Sequence, residues 1–160
     1  MKTLSMKPSK TDYRGGEALA FSTKALELVV TKDVGPRIVS LSSKAGVKAG
    51  NLFLSFPADE KRYHGYYLRG GHRLWHAPES NPRTYLPDNG PVAVEEHPDF
   101  VRLIQPVEAG TGIQKEIDVY LAPQGAHVQV IHRLRNQGLW PLRLAPWALD
   151  RKSTRLNSSH

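Results

Sequence analysis

The sequence predicts an all-β fold, an antiparallel β-sandwich, on three observations. Apolar and polar residues alternate with period two in several segments, which is the pattern of strands with one buried face. Clusters of Gly, Pro and Asn separate these segments, as they do at turns between strands. The apolar spacing of an amphipathic helix is missing, and there is no internal repeat. Short strands with turn signals between them are typical of a sandwich.

The first strands form a predicted hairpin. Residues 25–31 place Leu26, Leu28 and Val30 on one face, and a second short strand follows at 37–41. A Gly-Pro pair between the two segments marks the turn.

Further strands follow in the second half of the chain. Residues 99–104, 113–121 and 127–135 each alternate, and the pattern of the middle segment is the clearest. Its apolar side chains share one face and are Ile113, Ile117, Val119 and Leu121. In the last segment His132 shares a face with apolar residues, which predicts a buried or half-buried histidine of the core.

The length of 160 residues suits one domain. We expect a polar, flexible lead-in over 1–17 and the β-sandwich over 18–149. Hydrophobic residues make up 39% and charged residues 23%, which is typical of a soluble globular protein. No apolar run reaches the roughly 20 residues of a membrane span, and residues 1–10 lack the apolar core of a secretion signal. We therefore predict a cytoplasmic protein with no membrane partner.

The last eleven residues, 150–160, are interpreted as different in origin from the rest. They match, codon for codon, the in-frame translation of a common sequencing-library adapter. Chance agreement over so many codons is far rarer than read-through. We therefore predict that this tail is not native and that the natural chain continues beyond Leu149. The alternative is a native polar tail.

The formal net charge of +7 raises the question of nucleic-acid binding. Such binding needs Lys and Arg clustered on one face or interleaved with stacking aromatic residues. Here they are scattered, with no run longer than Lys61-Arg62. We predict a moderately basic surface and no nucleic-acid partner.

Residues 57–91 are dense in Pro, Gly, His and aromatic side chains, and long segments of weak periodicity are often functional. Gly70-Gly71 allows a tight turn or close approach to a ligand. Indole faces pack on the C–H face of a sugar, and guanidinium forks bind its hydroxyls. His72, directly after the glycines, is the candidate catalytic residue. The candidate sugar-binding residues are Arg69, Arg73, Trp75, His76 and Glu79.

Several of these residues have a purely structural alternative. Trp75 and Leu74 equally suit a plug at one end of the sandwich. Arg69 and Arg73 equally suit ordinary surface charges.

Motifs for a metal or for other catalytic chemistry are missing. His72 and His76 lie four residues apart, but Pro78 and the glycines oppose the helix that this ligand spacing needs. His64 and His97 complete the set, with neither an HExxH motif nor any Cys beside them. The lack of Cys also excludes a disulfide framework and a Cys nucleophile. We predict no metal and no other cofactor.

Four segments, in order, make the chain resemble the galactose-mutarotase-like (aldose epimerase) superfamily. They span about 18–149, and the Gly-Gly-His-Arg-Leu-Trp and Ala-Pro-Trp-Ala-Leu strings are the most specific. The segments are Leu26-Glu-Leu-Val-Val with Gly35-Pro-Arg-Ile, Asn51-Leu-Phe, Gly70-Gly-His-Arg-Leu-Trp-His-Ala-Pro-Glu79, and Val128-Gln-Val-Ile-His-Arg-Leu-Arg-Asn136 leading to Leu144-Ala-Pro-Trp-Ala-Leu149.

The resemblance implies a β-supersandwich of about twice this length that binds sugars in a groove on one sheet. Members interconvert sugar anomers by general acid–base catalysis, without a metal or organic cofactor. His72 falls at the family's first sugar-contacting histidine, with Arg73 and Trp75 beside it. The catalytic carboxylate of the family would lie beyond Leu149.

Three functional hypotheses follow, and in the first two the partner is a small-molecule sugar. The leading one is a carbohydrate-binding protein of the aldose-epimerase-like class that interconverts anomers in its full-length form. The alternative is a non-catalytic sugar-binding module of a larger carbohydrate-active protein. The third is a scaffold that binds no sugar.

We expect this chain alone to be inactive and poorly folded, since a divided sandwich exposes strand edges and part of its core.

Overall fold

In a computed structural model, the described residues are 7–44, 50–56, 61–62 and 65–151. Almost all regular structure in these ranges is extended, apart from a single 3-10 turn at Arg83–Tyr85. The strands are β1 (Ser9–Tyr13), β2 (Gly16–Ser22), β3 (Leu26–Thr31), β4 (Arg37–Ser43), β5 (Lys61–Arg62), β6 (Tyr66–Tyr67), β7 (Gly71–Ala77), β8 (Ala93–Glu96), β9 (Val101–Ile104), β10 (Ile113–Leu121), β11 (Val128–Asn136) and β12 (Ala145–Arg151).

Two antiparallel sheets pack face to face. The larger sheet has the order β1-β2-β3-β4-β7-β12, the smaller has the order β11-β10-β9-β8, and β5 pairs with β6. One apolar cluster joins the inner faces and includes Leu19, Phe21, Leu28, Val30, Ile38 and Leu74 from the larger sheet and Val101, Leu103, Ile117, Val119 and Leu121 from the smaller. Two sheets that share one core form a β-sandwich, which confirms the predicted fold class.

The strands with clear alternation lie where the sequence predicts them. β3 and β4 form the predicted hairpin, with Leu28 opposite Leu41. Leu26, Leu28 and Val30 are all buried. β10 has the predicted bounds, and β9 and β11 begin and end within two residues of theirs. Apolar alternation therefore locates the strands that have one face in the core.

The N-terminal region differs from the expected flexible lead-in over 1–17. Within it, β1 and the start of β2 form a hairpin that turns at Arg14 and Gly15, both with positive φ. β1 lies at the edge of the larger sheet, and four of its five residues are exposed. An edge strand without a buried face needs no apolar alternation, so its polar sequence resembles that of a loop.

β12 closes the other edge of the larger sheet. It pairs with β7, with Trp147 opposite Trp75 and Asp150 opposite His72. β12 thus includes Asp150, the first residue of the tail that is predicted to derive from an adapter. The rest of that tail, residues 152–160, lies outside the described ranges. The origin of the tail stays a prediction. Along the described part of the chain, no helix is long and apolar enough to cross a membrane.

Candidate functional site

Four of the six candidate residues lie on β7, a strand inside the larger sheet between β4 and β12. Because side chains alternate along a strand, β7 presents two different faces. Leu74 belongs to the core cluster and marks the inner face. His72 and His76 share that face and are 8% and 0% exposed.

Arg73 and Trp75 point to the opposite, outer face, where they line a cavity of about 480 Å³. We call this cavity the outer groove. Its lining combines aromatic, cationic and glycine residues from β4, β7, β12 and the segments next to them. The lining residues are Arg37, Leu68, Gly70, Gly71, Arg73, Trp75, Tyr85, Trp147, Leu149, Asp150 and Arg151.

Gly70 and Gly71 bring neighbouring backbone unusually close to the start of β7. Both have positive φ, +79° and +74°. A Cβ atom at Gly70 would lie 2.0 Å from the carbonyl oxygen of Leu54, and one at Gly71 would lie 2.4 Å from that of Ile38. Any larger residue would meet backbone there, so the two glycines are required by the packing of β7.

Aromatic rings surround Trp75 in the outer groove. The Trp75 ring centroid lies 5.6 Å from that of Trp147 and 5.0 Å from that of Tyr85, both edge to face. The guanidinium carbon of Arg73 lies 3.7 Å from the Trp75 centroid. These contacts fix the indole and the guanidinium in one rigid arrangement.

A buried ion pair supports the cationic part of the outer groove. Arg37 is fully buried and donates hydrogen bonds from Nη2 to both carboxylate oxygens of Asp88, at 2.8 and 3.0 Å, and from Nη1 to the Gly70 carbonyl at 3.1 Å. Burial raises the pKa of Asp88, but the positive charges of Arg37, Arg73 and Arg69 outweigh it and leave the pKa below its ordinary value. Asp88 is therefore a carboxylate that holds arginines in place.

His72 is directed into the sandwich and contacts the other sheet. Its Nε2 lies 2.7 Å from Nε2 of His132 on β11, and its Nδ1 lies 2.5 Å from a carboxylate oxygen of Asp150. Burial first, and then the charge of His72, lowers the pKa of His132, while Asp150 acts in the opposite direction. The predicted core position of His132 agrees with this packing, and the structure places His72 away from Arg73 and Trp75.

His76 also lies inside the sandwich and is fully buried. Burial first, and then the positive charge of Lys115, lowers the pKa of His76. Lys115 is itself buried and forms an ion pair with Glu108. Neither ring nitrogen of His76 has a hydrogen-bond partner among the residues that the structure describes. His76 therefore does not reach the outer groove with Arg73 and Trp75.

The remaining candidates lie around the outer groove or apart from it. Arg69 lies 3.9 Å from Asp88 and donates a 2.8 Å hydrogen bond to Asn89. Glu79 is exposed and accepts a hydrogen bond from the hydroxyl of Tyr85. His97 stacks on Phe100 at a centroid distance of 4.2 Å, in the connection between β8 and β9. His64 lies outside the described residues.

Sequence reasoning missed several residues that complete the outer groove. Arg37 and Trp147 are distant in sequence from Arg73 and Trp75, and the sheet register brings them together, whereas Tyr85 lies in the 3-10 turn that follows β7. Arg37 is the Cα partner of Arg73, and Trp147 is the Cα partner of Trp75. Trp147 lies in the Ala-Pro-Trp-Ala-Leu string, so this residue could have been found by pairing that string with β7.

Comparisons with known proteins bear on the fold alone. No protein-family model matches the chain, and no curated protein sequence matches it. Among solved structures, it is similar to the 4-alpha-glucanotransferase from Thermococcus litoralis, with a TM-score of 0.52 and 17% sequence identity. The match covers 82% of this chain and 24% of that one, so this chain spans about a quarter of that protein's length. Likeness at such low identity supports a shared sandwich architecture.

Proposed function

We propose that the outer groove binds a carbohydrate. The observation that carries the proposal is the cluster of Trp75, Trp147 and Tyr85 next to the guanidinium of Arg73. Aromatic faces pack against the apolar C–H face of a sugar ring, and guanidinium N–H groups donate to its hydroxyls. A volume of about 480 Å³ falls within the range of small-molecule sites.

The geometry favours the non-catalytic alternative over sugar-anomer interconversion by His72. Acid–base catalysis needs the acid within hydrogen-bond reach of the bound sugar. The ring nitrogens of His72 are engaged by His132 and Asp150 on the inner face of the larger sheet. A sugar stacked on Trp75 would lie on the outer face. A sugar-binding module of a larger carbohydrate-active protein is thus the function that this groove supports best.

Sugar titrations with single tryptophan variants test this proposal. We expect Trp75→Ala and Trp147→Ala each to weaken binding about threefold to tenfold, because each aromatic contact contributes roughly 0.5–1.5 kcal/mol. Trp140→Ala is the matched control, since Trp140 is 77% exposed and does not line the outer groove. Isothermal titration calorimetry against monosaccharides and disaccharides gives the affinities.

A scaffold without sugar binding would behave differently in the same experiment. All four proteins would then give no heat of binding with any sugar while circular dichroism showed unchanged strand content. Equal affinities for Trp75→Ala, Trp147→Ala and Trp140→Ala would likewise overturn the proposed groove and place the sugar elsewhere.

A further inference from the structure

An exposed Asn-Gly pair, Asn89-Gly90, lies in the connection between the 3-10 turn and β8. The N–H of Gly90 belongs to no strand and has no hydrogen-bond partner among the residues that the structure describes. A Cβ atom at Gly90 would meet nothing within 4 Å, so the space around this position is open. The main-chain nitrogen of Gly90 is therefore available to react with the side chain of the asparagine before it.

The carboxamide of Asn89 is held by a cation and by backbone. Arg69 donates a 2.8 Å hydrogen bond from Nη1 to Oδ1 of Asn89, and Nδ2 of Asn89 donates a 2.8 Å bond to the Gly65 carbonyl. A guanidinium on a carbonyl oxygen draws electron density from the carbonyl carbon and stabilises the negative charge that forms when a nucleophile attacks. Arg69 thus has the place of an oxyanion-stabilising group for attack on Cγ of Asn89.

We propose that Asn89 is a deamidation site of the folded protein and that Arg69 activates it. The proposal is independent of sugar binding. Solvent base removes the amide proton of Gly90, the nitrogen bonds to Cγ of Asn89, and the Nδ2 amino group leaves as ammonia with a proton taken from solvent. Because the nitrogen and the carbon that react belong to neighbouring residues, the attack is intramolecular and is favoured over direct attack by water.

Water then opens the cyclic imide that this step forms. Cleavage of the bond from the imide nitrogen to Cγ gives aspartate at position 89. Cleavage of the bond from the same nitrogen to the main-chain carbonyl carbon gives isoaspartate, in which the backbone runs through Cγ. Water is the only further reactant, and nothing is oxidised or reduced. Both products carry a carboxylate where the native residue has a neutral amide.

The other asparagines of the described ranges lack this arrangement. Asn81 precedes a proline, whose nitrogen carries no proton and cannot close the ring. Asn136 precedes Gln137, whose side chain hinders ring closure and whose N–H donates to the Gly112 carbonyl at 2.8 Å. Asn51 precedes a leucine. These three residues therefore serve as internal controls.

Deamidation would alter a segment that is tied to the larger sheet at both ends. The Gly35 N–H donates to the Asp88 carbonyl at 2.9 Å, and the Val92 N–H donates to the Lys32 carbonyl at 2.8 Å. Isoaspartate at position 89 adds a carbon atom to the backbone between these two ties and removes the Nδ2 donor. The converted protein should therefore melt at a lower temperature than the native one.

Peptide mapping by mass spectrometry on the full chain tests the proposal. One sample is incubated at mildly alkaline pH without denaturant, and a parallel sample is incubated in urea, where the fold no longer contributes. In the folded chain we expect more conversion at position 89 than at positions 51, 81 and 136, with aspartate, isoaspartate and ammonia as products. An amide at position 89 that survives in the folded chain but converts in urea would overturn the proposal.

Gln137→Gly is the matched control for the role of the fold, because it creates a second exposed Asn-Gly pair. Oδ1 of Asn136 accepts a 3.0 Å hydrogen bond from the Gly138 N–H, where Asn89 has a guanidinium donor. We expect the two pairs to convert at the same rate in urea and the pair at Asn89 to convert faster in the folded chain. Equal rates in the folded chain would show that the dipeptide alone is responsible, and would overturn activation by Arg69.

Gly90→Ala and Arg69→Gln test the two groups that act on Asn89. Gly90 has no positive φ and has open space around it, so alanine fits there, while its methyl group hinders ring closure. We expect Gly90→Ala to slow conversion both in the folded chain and in urea, and Arg69→Gln to slow it in the folded chain alone. Circular dichroism checks that both variants retain their strand content. Conversion in folded Arg69→Gln that is as fast as in the wild type would contradict the activating role.

Discussion

The face on which His72 lies follows from the alternation of side chains along β7. One residue along β7 separates the inner face, with His72, from the outer face, with Arg73. In a loop, adjacent histidine, arginine and tryptophan side chains can converge on one ligand, but in a strand they alternate. The sequence therefore identifies Arg73 and Trp75 as groove residues, whereas His72 and His76 become part of the interior.

Two histidines inside the sandwich, His132 and His76, predict that the folded protein loses stability in acid. The pKa of His132 and that of His76 are both lowered in the folded protein, mainly by burial. The unfolded chain then binds more protons than the folded one. Stability should be complete above about pH 6.5, the ordinary pKa of histidine, and should fall as the pH drops through the lower folded values.

Urea unfolding of His132→Gln and His127→Gln measures this effect. We expect the free energy of unfolding of the wild type to be lower at about pH 5.5 than at about pH 7.5, and we expect a smaller difference between these two pH values for His132→Gln. His127 is exposed, so His127→Gln should retain the wild-type dependence. The explanation fails if all three proteins show the same change with pH.

The glycines before β7 predict a second effect at the residue scale. Gly71 and Gly125 have nearly the same φ, +74° and +76°, but a Cβ would meet nothing within 4 Å at Gly125 and the Ile38 carbonyl oxygen at Gly71. Gly125→Ala should cost about 1–2 kcal/mol, the penalty of the left-handed backbone conformation. Gly71→Ala should cost clearly more in the free energy of unfolding, because steric overlap adds to that penalty. Equal losses in urea unfolding would show that the close approach is easily relieved.

At the scale of elements, apolar alternation explains which strands can be predicted. β3, β4 and β10 each place apolar residues on the core side, and all three are evident in the sequence. β7 is hidden because it carries polar or aromatic side chains on both faces. It has His72 and His76 inside and Arg73 and Trp75 outside, so no apolar period remains. The composition of residues 57–91 predicts a functional segment but does not supply the register of β7.

The outer face of the smaller sheet shows a second limit of alternation. Asp118 lies between Ile117 and Val119 on β10 and so points away from the core, yet it is completely buried. Arg102 on β9 donates to it at 2.7 and 3.0 Å, and Arg133 on β11 donates from the other side. The carboxylate thus joins three adjacent strands beneath two arginines.

Asp118→Ala should therefore destabilise the smaller sheet. The substitution removes the shared acceptor and leaves two partly exposed guanidinium groups repelling each other, and we expect a loss of about 1–3 kcal/mol. Asp99→Ala is the control, since Asp99 is exposed. Thermal melts at neutral pH compare the two variants. A melting temperature for Asp118→Ala equal to that of Asp99→Ala would mean that the cross-strand bridge contributes nothing to stability.

At the scale of the whole molecule, the sandwich is least covered where β11 and β12 form the edges of their sheets. The inner-facing side chains of β11 are only half-buried, although they pack against the core cluster. The connection between the two strands exposes Leu139, Trp140 and Leu142, at 94%, 77% and 48%. Exposed apolar groups of this size next to open strand edges favour association.

We predict that this chain binds apolar dyes and self-associates through the connection between β11 and β12. The double variant Leu139→Ser with Trp140→Ser should lower both anilinonaphthalene sulfonate fluorescence and the mass measured by sedimentation. Val107→Ser is the matched control, because Val107 is a single exposed apolar residue on another loop, 45% exposed. The same double variant should leave sugar affinity unchanged, since neither residue lines the outer groove. A wild-type chain that remains monomeric, binds no dye and melts cooperatively would show instead that the sandwich is stable without any further chain at its open edges.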